Sequence, residues 1–150
     1  MATLSHQVWI KAPTARLYEA VATEEGIGRW WDRPRALRRL PEGLTWEFNP
    51  GHEHGVLVAN VVEMIQDRRV EWEFVSTHPR HSPAFAWTGT HVVFEISRRE
   101  VPPWAADRVE MAILDFRHSG WDERSEYFGF CNFQWGETLR KLKQCCESDS

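Results

Sequence analysis

Leu4, His6, Val8 and Ile10 alternate with Ser5, Gln7, Trp9 and Lys11, the period of a strand with one face turned inward. The alternation runs to Ala12, and Pro13 ends it. Leu17, Tyr18 and Val21 then recur at helical spacing, so a short helix is expected to start at Pro13. Thr23-Glu24-Glu25 offers a capping hydroxyl and an acidic first turn to a second helix, which carries Ile27, Trp30 and Trp31 inward. Beyond Arg33 the period of two returns. Leu44, Trp46 and Phe48 alternate with Thr45, Glu47 and Asn49, a longer run covers Val56 to Ile65, and Val70, Trp72 and Phe74 alternate with Glu71, Glu73 and Val75. Gln66-Asp67-Arg68 is a hairpin-length separation, and His78-Pro-Arg-His-Ser-Pro83 reads as a turn-rich loop. Thr88, Thr90, Val92, Phe94 and Ile96 share one face of the next strand. After a loop over Val101 to Asp107, a final strand runs from Val109 to His118 and breaks at Ser119-Gly120. Such short connections predict an antiparallel, strongly curved sheet.

The last segment changes period again. From Asp122 to Glu147, Phe128, Cys131, Trp135, Leu139, Leu142 and Cys146 fall on one stripe at spacings of three and four. A long helix with one apolar stripe must lie on something, and the concave face of the sheet is the surface available. One domain over residues 1–150 is expected, with a core large enough to need no metal or cross-link.

Composition sharpens this picture at one point. Aromatic residues make up 13% of the chain, and tryptophan, with nine copies, supplies about half of them. Indoles seldom bury completely because the N–H wants a partner, so their number points to rings that line a wide hydrophobic cavity as well as fill a core. The net charge of −4 gives no basic field for nucleic acid, and Arg33, Arg35, Arg38 and Arg39 read as a solvated basic segment. No 18-residue apolar run and no charged-then-apolar N-terminus is seen, so a soluble cytoplasmic protein without membrane insertion is expected. Cys131, Cys145 and Cys146 fit that compartment as free thiols. The pairs His52/His54 and His78/His81 lie in Gly- and Pro-containing loops without a third ligand nearby in sequence, so they read as solvated loops rather than a metal centre. No nucleophile elbow, phosphate-cradling loop or dinucleotide fingerprint occurs, and no cofactor is expected.

Among single residues His118 stands out. Counting by twos from Leu114 and Phe116 turns it inward, beside Ser119-Gly120 and Trp121. There it can serve as an acid or base toward a ligand, or fix the strand-to-helix corner; the second reading is preferred because no carboxylate sits at an orienting position. Trp30, Trp31, Trp46, Trp72, Trp87, Tyr127 and Trp135 are the proposed wall. Phe94, Phe116, Trp121, the inward hydroxyl of Thr90 and the amide of Asn132 are further candidate ligand contacts.

Val8-Trp-Ile-Lys-Ala-Pro13, Glu25-Gly-Ile-Gly-Arg-Trp-Trp-Asp32, Arg69-Val-Glu-Trp72, Trp87-Thr-Gly-Thr90 with Val93-Phe-Glu-Ile96, Phe116-Arg-His-Ser-Gly-Trp121, and Tyr127 followed by Cys131-Asn132, Trp135 and Leu139 occur in this order over nearly the whole chain. In these elements the chain resembles the activator of heat-shock protein 90 ATPase homologue-like family, within the SRPBCC superfamily of START domains, polyketide cyclases and birch-pollen allergens. The resemblance implies an α+β helix-grip fold: a curved antiparallel sheet of about six or seven strands around a long C-terminal helix, with two short helices after strand 1. It also implies a cavity for lipids, polyketides and other apolar or aromatic small molecules. A carrier or sensor of such a ligand is the leading expectation. A cyclase or hydrolase using His118 as acid or base is the alternative, and a chaperone-ATPase-regulating interaction module is a third. The separate chaperone-binding domain of longer eukaryotic relatives is not expected within these residues. A sheet edge near residues 33 to 49 offers a place for a second copy.

Overall fold

The computed structural model describes residues 1–38, 43–101 and 109–148. Arg39, the loop expected after Val101 and the last two residues lie outside them. Strands β1 (Ala2–Ile10), β2 (Arg35–Arg38), β3 (Leu44–Phe48), β4 (Leu57–Ile65), β5 (Arg69–Phe74), β6 (His91–Val101) and β7 (Val109–Trp121) form one curved antiparallel sheet. Its order is β1-β7-β6-β5-β4-β3-β2, so each strand lies beside its neighbour in sequence except β1, which closes against β7. The inward residues are those that the alternation marks. Val70, Trp72, Phe74, Val92, Phe94, Leu114 and Phe116 are all fully buried.

Three details differ from the expectation. The strand beginning at Thr88 begins at His91, because Pro83–Trp87 forms a 3-10 helix whose first turn is capped by Ser82 Oγ accepting from the Ala84 N–H at 3.2 Å. Trp87 therefore comes from this turn and not from a strand. β7 does not break at Ser119-Gly120 but continues to Trp121. Gly120 sits at φ +88° in a bulge opposite the Ala2/Thr3 step, and the extra residue brings Trp121 against His118. Only glycine takes that φ without strain.

The third difference is the start of the long helix. Helix α1 (Thr14–Ala22) and helix α2 (Glu24–Gly28) follow β1 as predicted, and helix α3 spans Phe128–Ser148, six residues shorter at its start than the pattern implied. Asp122 Oδ1 accepts from the Arg124 N–H at 3.0 Å and Ser125 Oγ from the Tyr127 N–H at 3.2 Å. These short side chains capture backbone donors and hold residues 122–127 in turns. Past them the stripe behaves as predicted: Cys131, Trp135, Leu139, Leu142 and Cys146 are buried on the sheet. The far end of α3 is tied to β1 by Lys143 Nζ, which donates to the Trp9 carbonyl at 2.6 Å.

The α1–α2 corner decides where Trp30 and Trp31 arrive. Thr23 Oγ1 accepts from the Gly26 N–H at 2.9 Å and starts α2. A Cβ on Gly26 would stand 2.1 Å from the Glu19 carbonyl oxygen, so the two helices meet as closely as they do only because that residue is glycine. The chain leaves α2 pointing into the space under α3.

Candidate ligand site

His118 is completely buried, and each of its ring nitrogens has a partner. The Trp135 indole N–H donates to Nδ1 at 3.0 Å. An indole nitrogen can only donate, so Nδ1 must be the bare nitrogen and Nε2 carries the proton. That proton points to Thr90 Oγ1 at 2.8 Å, and the Thr90 hydroxyl in turn donates to the Trp87 carbonyl at 2.5 Å. The chain of donors runs one way, from α3 through β7 to the turn before β6. Burial, with a smaller contribution from the charge of His91, pushes the His118 pKa down to about 3. A neutral imidazole with its lone pair already engaged has nothing left with which to take a proton. This is the corner-fixing histidine, oriented by Thr90 and Trp135 rather than by a carboxylate.

Around it the rings are packed against one another. Trp135 lies on Phe116 with centroids 4.5 Å apart and stacks on Trp87 at 5.8 Å and 17°. Trp31 stacks on Trp72 at 6.2 Å and 7°, on Trp30 at 6.0 Å and 14°, and tilts against Phe48, Trp87 and Trp135. Phe94 meets Trp72 edge-on at 5.0 Å, and Trp121 meets His118 edge-on at 5.1 Å. The wide open cavity expected from the sequence is thus occupied by its own wall. At the edge of the cluster a cleft of about 130 Å³ opens between Trp31, Trp87, Cys131, Gln134, Trp135 and Thr138. Pockets that enclose a drug-sized ligand run from about 300 to 1,000 Å³, so this cleft admits a fragment unless a ring moves. A shallower groove of about 660 Å³ continues from it, sharing Trp31 and Thr138 and passing Arg29, Asp32 and Lys141.

Hydrogen bonding separates the indoles into two groups. Trp30 Nε1 donates to the Ala20 carbonyl at 2.7 Å, Trp87 Nε1 to Cys131 Sγ at 3.4 Å, and Trp135 Nε1 to His118. The N–H groups of Trp46, Trp72 and Trp121 are buried and find no partner among the described residues. Each such orphan costs about 1–3 kcal/mol.

Of the residues nominated from sequence, the structure gathers Trp31, Trp72, Trp87, Phe94, Phe116, His118 and Trp135 into this cluster through direct ring contacts, with Thr90 bonded to His118 and Trp121 beneath it. Trp46 is buried on β3. Two nominations are corrected. Asn132 is exposed, because a residue one position beyond Cys131 rotates off the buried stripe to the solvent side. Tyr127 donates its hydroxyl to the Arg80 carbonyl at 3.0 Å and lines a separate surface pocket with Phe85 and Ala86. Cys131 and Thr138, which border the cleft, were not singled out, since nothing in a helical stripe distinguishes a residue beside an opening from one in the core. The histidine loops also behave differently from solvated loops. His54 Nδ1 meets Ser82 Oγ at 2.7 Å, while His78, itself buried, meets Ser76 Oγ at 2.8 Å and the His54 carbonyl at 2.7 Å. They join two loops together, and among the described residues no group of three or more His, Cys, Asp or Glu side chains is placed to hold a metal.

The family model for activator of Hsp90 ATPase homolog 1-like protein matches residues 11–147. The chain belongs to this family. Solved structures share the fold. The Aha1 dimer from Colwellia psychrerythraea is 25% identical and superposes with a TM-score of 0.74 over 98% of this chain and 97% of its own. MLL2253 from Mesorhizobium loti is 18% identical with a TM-score of 0.73 over 99% of each chain, and CalU16 from Micromonospora echinospora is 16% identical with a TM-score of 0.68 over 99% of this chain and 76% of its own. No curated protein matches the chain by sequence. The shared architecture is the helix-grip arrangement of a curved antiparallel sheet and a long C-terminal helix. Among the described residues of this family member no helix is long and apolar enough to cross a membrane.

Proposed function

We propose that this chain is a cytoplasmic, single-domain binding protein that holds a small apolar or aromatic molecule between the sheet and α3, at the cleft bordered by Trp31, Trp87 and Trp135. The observation that carries this reading is the aromatic cleft that opens beside α3 between Trp31, Trp87 and Trp135. Flat rings supply area, and Gln134 and Thr138 supply polar groups that can orient a guest. Catalysis by His118 is disfavoured, because its lone pair is spent on Trp135.

Thr138 tests the reading without disturbing the core, since it borders both the cleft and the groove and is only partly buried. Calorimetric titration with 1-naphthol is expected to show saturable one-to-one binding to the native protein. Thr138→Trp, which fills the cleft mouth, is expected to weaken it by tenfold or more, about 1.4 kcal/mol. Absence of saturable binding to the native protein, or equal binding by the variant, contradicts the proposal.

Self-association is a second reading, with a second copy of this chain as the partner. The Colwellia relative is a dimer in solution. Phe130 and Phe133, 52% and 65% exposed on α3, form the apolar surface that such a partner would cover. The edge strand β2, the site expected from sequence, is only four residues long and carries arginines, features that discourage edge pairing. A monomeric mass by sedimentation at micromolar concentration excludes this second reading.

A further inference from the structure

We infer that Cys145 and Cys146, in the last turn of α3, form a two-sulfur site for a trivalent arsenical carrying one organic substituent, which lies in the outer groove along Trp30 and Trp31. The site is separate from the cleft of the proposed function and does not depend on it.

Neither cysteine is in a disulfide, and the two thiols are hydrogen-bonded to one another. Cys145 borders the groove of about 660 Å³ together with Trp30, Trp31 and Lys141, while Cys146 is 1% exposed and lies beside Arg16 and Glu19 of α1. The turn that carries them is held from two sides. Arg16 Nη1 donates to the Cys146 carbonyl at 3.0 Å, and Glu147 Oε2 accepts from the Lys11 N–H and from Lys143 Nζ, each at 2.8 Å. A bridging atom therefore meets a preformed pair of sulfurs.

What the pair can hold follows from its geometry. Adjacent Cα atoms stand about 3.8 Å apart, closer than the roughly 4.4 to 6.8 Å that a disulfide spans, so a direct bond between the sulfurs is strained. A single atom between them avoids this, and two thiols select a soft one. Zinc wants four ligands, and among the described residues no group of three or more His, Cys, Asp or Glu side chains is placed to hold a metal. An ion that two sulfurs bind in a straight line needs them on opposite sides, whereas these are in hydrogen-bond contact. Trivalent arsenic is pyramidal and takes both sulfurs on one side. With one carbon substituent it brings its own third partner.

The exchange balances without an oxidant. From R–As(OH)2, the Cys145 thiol in the groove displaces one hydroxide, which leaves as water with the Cys145 proton. The Cys146 thiol then displaces the second, which leaves as water with the Cys146 proton. Two As–O bonds break, two As–S bonds form, and arsenic remains trivalent. Burial pushes the Cys146 thiol up to about 12, so its proton passes to the departing hydroxide and no thiolate stands buried. The product is uncharged, which suits the seat of Cys146 in the apolar core.

The test titrates phenylarsine oxide into the full chain, read by native mass spectrometry with and without about a thousandfold excess of 2-mercaptoethanol, which competes with single thiols. Native protein is expected to keep one phenylarsenic group under that excess, because the second bond forms within the molecule. Cys145→Ala and Cys146→Ala are each expected to hold it about a hundredfold more weakly. Cys131→Ala, which removes a thiol about 21 Å away along α3, is expected to hold it as tightly as native protein. Should Cys146→Ala fail to fold, arsenic X-ray absorption on the native adduct counts the bonds, and two sulfurs and one carbon are expected. One sulfur at the arsenic, release from native protein by the monothiol, unchanged retention by Cys145→Ala or Cys146→Ala, or loss of retention in Cys131→Ala overturns the inference.

Discussion

Between pH 6.5 and about 3 the protein is expected to lose stability at about 1.4 kcal/mol per pH unit through His118 alone. In the unfolded chain this imidazole takes a proton near 6.5, whereas in the fold burial holds it neutral down to about 3. Throughout that window the unfolded state binds one proton more than the folded state. The contribution is therefore fully present above pH 6.5 and is lost as the pH falls. Glu71 and Glu147 act in the same direction only in more acid solution. Burial raises each, but hydrogen bonds from Arg69 and His91 to the first, and from the Lys11 backbone and Lys143 to the second, outweigh it and leave both lowered. The comparison that isolates the histidine is His118→Phe, which removes the titration while keeping a ring in the corner. Urea unfolding at pH 5, 6, 7 and 8 should show native stability falling below 6.5 with the slope given, and a distinctly shallower profile for the variant. Identical profiles would mean that His118 is not held neutral by the fold.

Trp135→Ala is expected to cost about 4 kcal/mol, a large share of the 5–15 kcal/mol by which a domain of this kind is stable. Trp135 is 3% exposed, packs on Phe116 and Trp87, and is the donor that fixes the His118 tautomer. Its removal creates a cavity and strands Nδ1 at once. Trp135→Phe separates the two effects, since it keeps most of the packing and deletes the N–H, at an expected cost of about 1–2 kcal/mol. Combined with His118→Phe in a double-mutant cycle by chemical denaturation, the two substitutions should be non-additive by about 1 kcal/mol, because each already breaks the same hydrogen bond. Strict additivity would show that the bond contributes nothing to stability.

The fold was legible wherever side-chain period carries the information. Val70, Trp72 and Phe74 face inward as their alternation says, and counting by twos from Leu114 puts His118 in the interior. Period fails where one residue shifts the count. Trp121 joins the His118 face only through the Gly120 bulge, and the start of α3 was misplaced because Asp122 and Ser125 spend their side chains on turn hydrogen bonds. The candidate site was legible in composition but not in shape. Nine indoles announce an aromatic interior, yet whether they line a space or fill it depends on rotamers, and here Trp31 stacks into the room that the others leave. The His118 tautomer was equally out of reach, since it depends on Trp135 arriving from α3 within hydrogen-bond distance.

The claim on which the account turns is that the aromatic cluster receives a guest, and the indole N–H region of a nitrogen–proton correlation spectrum reads this directly. With 1-naphthol at saturation, the cross-peaks of Trp31, Trp87 and Trp135, whose rings border the cleft, are expected to move. A spectrum in which saturating probe leaves Trp31, Trp87 and Trp135 all unshifted would contradict the account.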